Sequence, residues 1–210
     1  METTKIFFIT FFAALVGVIP PGLINMSVAK TCIERGKKSG IWVAIGASTV
    51  VFFQAWIAIQ LARYIFHNPF YHNMLLRTGV VIFLLMGIYF FVKARKKKKQ
   101  IKLKSHGDTR SFFKGAMISV LNVLPIPYFC ALGAGLNVSG TVNYNLANIW
   151  AFIIAAMLGT FATLYVYAVS SIKILHKTAI VNKYSNYFMA WLMMLLLVIS
   201  LLRVLLGGAS

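Results

Sequence analysis

The sequence predicts an all-α membrane protein with six transmembrane helices, built as two inverted repeats of three helices each. The composition gives the first indication, because 60% of the 210 residues are hydrophobic and only 11% are charged. In a soluble domain, about 25% of residues are charged. Proline interrupts the first and the fourth apolar runs at matching depth, in VIPPG and VLPIP, which predicts an internal repeat. A repeat of three spans is odd-numbered, so its second copy must be inserted upside down.

The six apolar runs are each long enough to cross a bilayer, since a spanning helix needs about 20 residues. They are apolar on all faces and lack the period-two alternation of strands, which favours helices. The first run follows one lysine and mimics a signal peptide, but no small-residue cleavage site follows it, so we expect a retained span. The predicted spans cover residues 5–29, 40–63, 74–93, 112–136, 146–172 and 185–206.

A polybasic segment divides the chain almost into halves. We predict a first three-helix repeat at 1–93, a polybasic cytoplasmic linker at 94–111 and a second three-helix repeat at 112–210. The segment KARKKKKQIKLK can bind anionic lipid headgroups. The simpler interpretation is that it only fixes the topology, and both remain open.

The basic residues also predict the orientation. Of the 21 Lys and Arg residues, 17 lie in the loops that join spans 1 to 2, 3 to 4 and 5 to 6. Basic loops stay on the cytoplasmic side, so we expect both termini outside the bacterial cytoplasmic (inner) membrane. The net charge of +18 does not indicate a nucleic-acid partner, because the aromatic residues lie in apolar runs and not in the basic segment.

The two interrupted spans predict a substrate site. Proline removes backbone donors and frees carbonyl groups, each of which costs several kcal/mol in lipid. We therefore expect both breaks to face the interior of the helix bundle and to face each other. Paired interruptions at corresponding positions are typical of the binding site of a transporter.

The chemistry of a broken helix suits a zwitterion. The end of the first half carries partial negative charge and the start of the second half partial positive charge, which match an ammonium and a carboxylate. No predicted span contains Asp, Glu or His, so no metal site is predicted, and no nucleotide-binding motif or other cofactor motif is present. The candidate substrate-binding residues are Pro20, Pro21, Gly22, Asn25, Gln54, Asn122, Pro125 and Pro127. For Gln54, helix–helix packing is an equal alternative.

Two segments resemble motifs of a known family. PPGLINMSVAKTCIERGKKSGIWVAIGAS resembles the opening motif of the LysE/RhtB amino-acid exporters, and ISVLNVLPIPYFCAL is similar to the second motif of that family. The resemblance implies a role for the candidate residues of both breaks. Many family members carry an acidic residue in the second span, where this chain reads IGASTVVFFQ, so substrate class and proton coupling stay open.

These observations predict a secondary transporter, not an enzyme, that exports amino acids or similar small zwitterionic metabolites across the bacterial cytoplasmic membrane. Its partners are the substrate and the lipid bilayer, with a homo-oligomer left open. One alternative is an exporter of inorganic ions or metals. A second is a membrane thiol–disulfide conductor using Cys32 and Cys130, although two small buried side chains are the simpler interpretation. A non-transporting assembly factor is the third.

Overall fold

The computed structural model describes residues 2–20, 22–66, 108–138 and 144–171, with isolated helical positions at 84, 88, 91, 92, 191, 194 and 198. The described residues are helical and include no strand, which confirms the all-α prediction for this part of the chain. Apart from the isolated positions, the predicted third and sixth spans lie outside the described residues, as do residues 94–107 of the linker. The helices are α1 (Glu2–Val18), α2 (Leu23–Arg35), α3 (Lys37–Phe66), α4 (Asp108–Val120), α5 (Pro125–Val138) and α6 (Leu146–Val169).

Two of these helices, α3 and α6, are long and apolar enough to cross a membrane by themselves. The pairs α1–α2 and α4–α5 each qualify when taken together, and they are bent by 73° and 65°. The described residues therefore contain two candidate spans, or four if each bent pair is one span. These four match the predicted first, second, fourth and fifth spans. The total of six stays a prediction.

The polar gap predicted between the first two spans is much shorter in the structure. Helix α2 continues to Arg35 and α3 begins at Lys37, so a single residue, Gly36, joins them. Lys, Arg and Glu are good helix formers, and a helix that has reached water needs no apolar side chains to continue. Gly36 has a φ of 86°, a left-handed backbone that glycine adopts easily, and this turn separates the two helices.

The chain divides into two compact units, each drawn from both predicted repeats. The first contains Met1–Tyr64 and Leu103–Lys177, and the second contains Ile65–Lys102 and Thr178–Ser210. Nearly all the described residues belong to the first unit. These two units group residues by spatial contact, whereas the predicted domains are consecutive stretches of the sequence. The predicted domain boundaries therefore stay a prediction.

Within the first unit, α2 packs between the start of α3 and the end of α6. Their shared core is apolar and formed largely by small side chains, which let the helices approach closely. It consists of Ile24, Val28, Cys32, Val43, Ala44, Ala47, Leu164 and Ala168.

Glycines mark the closest helix crossings. A Cβ on Gly46 would collide with the backbone carbonyl of Phe112 in α4, and one on Gly115 would collide with that of Val43 in α3. Because neither glycine has a side chain, the backbones of α3 and α4 approach each other closely at this crossing. The crossing of α6 with α1 is similar, because a Cβ on Gly159 would collide with the carbonyl of Phe11.

Each unbroken helix runs beside one bent pair. Helix α6 follows α1 in parallel, and its contacts advance together along both helices: Asn148 with Thr3, Gly159 with Phe11, Thr163 with Leu15 and Tyr167 with Ile19. Helix α3 follows α4 and then α5, with Gly46 at Phe112, Gln54 at Ser119 and Ile59 at Gly133. Side chains of α3 and α6 therefore reach the two bends.

Candidate functional site

The first break, residues 19–22, lies between α1 and α2. The side chain of Asn25, in the first turn of α2, binds its backbone. The Nδ2 atom of Asn25 donates hydrogen bonds to the carbonyl oxygens of Val18, at 2.5 Å, and Pro20, at 3.1 Å. Asn25 is only 3% exposed, so its amide satisfies carbonyls that the end of a helix would otherwise leave without partners. Pro20 is buried, and Pro21 lies outside the described residues.

No side chain caps the start of α2. Gly22 is its N-cap, with an extended backbone, and no side-chain hydrogen bond caps the first turn. An uncapped helix N-terminus presents N–H groups and partial positive charge, which together favour an anion. Gly22 therefore lies at a helix N-terminus, and its predicted role in substrate binding stays a prediction.

Hydroxyl groups from α5 and α6 bind the carbonyls at the end of α1. None of them was among the candidate residues: the threonine was taken as structural, and a tyrosine in an apolar run has no signature of its own. The spacing of Thr163 and Tyr167, one helical turn apart, was the available signal. The bonds are Thr163 Oγ1 to Leu15 at 3.0 Å, Tyr167 OH to Ile19 at 2.6 Å and Tyr128 OH to Ala13 at 2.7 Å.

The second break, residues 121–124, lies between α4 and α5, and Gln54 of α3 binds it. The Nε2 atom of Gln54 donates to the backbone carbonyls of Ser119, at 3.1 Å, and Asn122, at 2.9 Å. The structure therefore brings together two predicted site residues, Gln54 and Asn122. The contact uses the backbone of Asn122, which sequence reasoning could not foresee.

The two prolines after this break lie in the first turn of α5. Pro125 is its first residue and Pro127 its third. The first four N–H groups of a helix have no partner within the helix, so proline loses nothing at these positions. The nearby backbone closes by turns, with Asn122 N donating to Ser119 O and Ile126 N donating to Val123 O.

Buried oxygen atoms without partners accompany the breaks. In the described part of the chain they are Thr10 Oγ1, Gln54 Oε1, Ser119 Oγ and Thr160 Oγ1. Such an atom costs about 1–3 kcal/mol when nothing replaces its water. The orientation of the Gln54 amide is fixed, because only its nitrogen can donate to the two carbonyls and its oxygen must therefore face elsewhere.

Tyr128 connects the second break to the first. It lies in the first turn of α5, yet its hydroxyl binds the Ala13 carbonyl of α1. Its ring lies against α1 so closely that a Cβ on Gly17 would be 2.9 Å from it. Gly17 directly precedes Val18, where α1 ends, so a side chain from the first turn of α5 reaches the last turn of α1.

A lysine connects α4 with α2. The Nζ atom of Lys114 in α4 donates to Thr31 Oγ1 of α2 at 2.7 Å, and the side chain is half-buried. The sequence analysis counted Lys114 with the basic loop, although it falls within the predicted fourth span. Nearby on α2, Lys30 and Glu34 form an ion pair at 3.5 Å.

The alternative functions would depend on the two cysteines or on a metal site. Cys32 lies in α2 and Cys130 in α5, and both are buried free thiols. Over the residues that the structure describes, no three or more His, Cys, Asp or Glu side chains are grouped as a metal ion would require.

The chain was compared with known proteins. A family model described as LysE type translocator matches residues 15–203, a range that contains both breaks and all the candidate residues. No curated protein and no solved structure gives a significant match to the chain.

Proposed function

Because the chain belongs to the family of LysE type translocators, we propose that it is a secondary exporter of amino acids or similar small zwitterions. The membrane is the bacterial cytoplasmic membrane, with the basic loops on the cytoplasmic side and both termini outside. The family supports transport, and the chemistry of the two breaks supports the substrate class.

The observation that carries the proposal is the linkage of the two breaks by Tyr128, in surroundings that are polar but uncharged. Backbone carbonyls, amides and hydroxyls line the breaks, and the uncapped start of α2 adds N–H groups. Such groups can bind an ammonium and a carboxylate at once without a charged side chain. A substrate with only an ammonium or only a carboxylate would leave one of the two helix ends without a partner.

A matched pair of contacts supports the inverted repeat. Gly46 of α3 meets the Phe112 carbonyl of α4, and Gly159 of α6 meets the Phe11 carbonyl of α1. The two phenylalanines hold the same place in TFFA and SFFK. Gln54 follows Gly46 at the spacing at which Tyr167 follows Gly159, and each binds carbonyls at one break. These correspondences are those expected if α1 maps onto α4 and α3 onto α6.

The coupling follows from the placement of the charges. Glu2, Glu34 and Asp108 stand at the ends of α1, α2 and α4, away from the two breaks. An ionisable group inside the membrane usually carries the coupling proton. We propose that no acidic side chain does so here, and that membrane potential or titration of the substrate drives export.

The test is efflux from liposomes that contain the purified full chain. Each of the common amino acids is loaded in labelled form, with the pH gradient and the voltage set separately. We expect at least one amino acid to leave faster than from protein-free liposomes, and a charged substrate to follow the voltage. Efflux of none of them would contradict the substrate class, and strict dependence of a neutral substrate on the pH gradient would contradict the coupling.

A further inference from the structure

The contact of Gln54 with the second break leaves one polar atom unused. Its Nε2 atom binds the carbonyls of Ser119 and Asn122, while its Oε1 atom is buried without a partner. Tyr167 makes the corresponding contact at the first break with one hydroxyl, which donates to Ile19. A single donor is therefore enough to bind the end of a broken helix. The carbonyl of Gln54 is not needed for that contact.

A second unused oxygen belongs to a residue that Gln54 touches. Ser119 is fully buried, and its Oγ atom has no partner either. The serine hydroxyl could donate to Gln54 Oε1 if the two oxygens were suitably placed, but no such bond forms. A ligand with more than one N–H group can bind both acceptors where a direct bond cannot.

The surrounding charge favours a cation. Ser119 lies in the last turn of α4, where the helix dipole places partial negative charge. A metal ion is a poor fit, because hard cations such as Ca²⁺ take six to eight oxygen ligands. The Ser119 carbonyl already accepts from both Gln54 Nε2 and Asn122 N, so it adds none.

We infer that Gln54 Oε1 and Ser119 Oγ form the subsite that receives the ammonium group of the exported substrate. The inference rests on the proposed function, since it assigns one end of the zwitterion to the second break. Both oxygens are shielded from solvent in this conformation. Movement between α3 and α4 opens the subsite, and the ammonium then replaces the missing partners of the two oxygens.

The experiment compares an amino acid with analogues that lack its ammonium. The full chain is reconstituted in liposomes, and the probe is the labelled amino acid that the wild type exports fastest. Unlabelled des-amino and N-acetyl forms of the same amino acid compete with it. Ser119→Ala removes the hydroxyl but keeps the backbone carbonyl that Gln54 binds. The control is Ser48→Ala, because Ser48 is also buried but its hydroxyl donates to Ala44 within its own helix.

For Ser119→Ala, we expect KM to rise and the preference for the amino acid over its des-amino form to fall about tenfold, as for a lost hydrogen bond to a charged group. Ser48→Ala should keep the wild-type preference. An unchanged preference in Ser119→Ala, or an equal loss in both variants, would overturn the subsite.

A second variant guards against failure to fold. Ser119→Cys has a slightly larger side chain that forms weaker hydrogen bonds. We expect this variant also to lose preference for the amino acid over its des-amino form. Retained preference in that variant would also overturn the subsite. If the wild type exports no amino acid, the proposed function fails; if export is normal and the preference is unaffected, only the subsite fails.

Discussion

The two asparagines of the predicted site act through different atoms. Asn25 binds the first break with its side chain, whereas Asn122 takes part at the second break through its backbone carbonyl. A side chain can be replaced without moving the backbone, so substitution should separate the two roles.

Replacing Asn25 with leucine should therefore destabilise the protein. Asn25→Leu keeps a similar volume but leaves the buried carbonyls of Val18 and Pro20 without their donor, at a cost of about 2 kcal/mol. The measurement is the free energy of unfolding in detergent, followed by circular dichroism. Asn122→Leu is the control and should cost much less, because its carbonyl remains in place for Gln54. Equal losses in the two variants would contradict the assigned roles.

The glycines at the helix crossings allow close approach only at certain positions. Gly46, Gly115 and Gly159 each face a backbone carbonyl of a neighbouring helix, whereas a Cβ on Gly135 would meet nothing within 4 Å. Gly135 lies in α5 and is exposed. The same substitution is thus expected to have opposite effects at different places on the helices.

We expect Gly159→Ala to destabilise the protein by about 1–3 kcal/mol, because the helices must separate to admit the new methyl group. Gly135→Ala should be neutral or stabilise by up to about 1 kcal/mol, since alanine favours the helix more than glycine does. Thermal unfolding of both purified variants provides the measurement. A destabilised Gly135→Ala together with an unaffected Gly159→Ala would contradict the close approach of α6 to α1 at Gly159.

The elements were largely predictable from the sequence, and their hydrogen bonds were not. Apolar length predicted the spans of α3 and α6, whereas the breaking of the first and fourth spans by proline stays a prediction. Both signals are local. The partners of the carbonyls at the end of α1 come from a helix far away in the chain, as with Tyr167 at Ile19 and Thr163 at Leu15. Only packing of the folded chain brings such residues together. The sequence could therefore indicate that the carbonyls need donors, but not which residues supply them.

The closeness of the two breaks can be tested on the whole molecule by cross-linking. We expect cysteines at Gly17 and Tyr128 to be joined by a short bifunctional thiol reagent, because the far end of the Tyr128 ring lies beside Gly17. Ile24 with position 128 is a further pair around the breaks. Cross-linking is read by the shift of a chain cleaved between the two positions. If no pair around the breaks reacts, the shared site loses its main support.

The cross-linking experiment needs a protein without its native cysteines, and this variant tests one of the alternative functions. It requires Cys32→Ala and Cys130→Ala, which remove both native thiols. An exporter should retain its efflux in this background, whereas a thiol–disulfide conductor should lose its electron transfer.

The orientation of the molecule is a separate prediction. Single cysteines introduced at positions 95–110 should react with an impermeant thiol reagent only from the cytoplasmic side, because 17 of the 21 basic residues fall in the loops predicted to lie on that side. Inside-out vesicles and intact cells give the two directions of access. Labelling of this segment in intact cells would overturn the orientation.

The connection at Gly36 has a mechanical consequence. With a single residue between α2 and α3, a tilt of α2 cannot be absorbed by slack in a loop and must be passed on to α3. One end of this coupled pair follows the first break, and Gln54 lies on the other arm against the second break. We therefore expect a displacement of α2 at the first break to be passed through Gly36 to α3, and so to the second break.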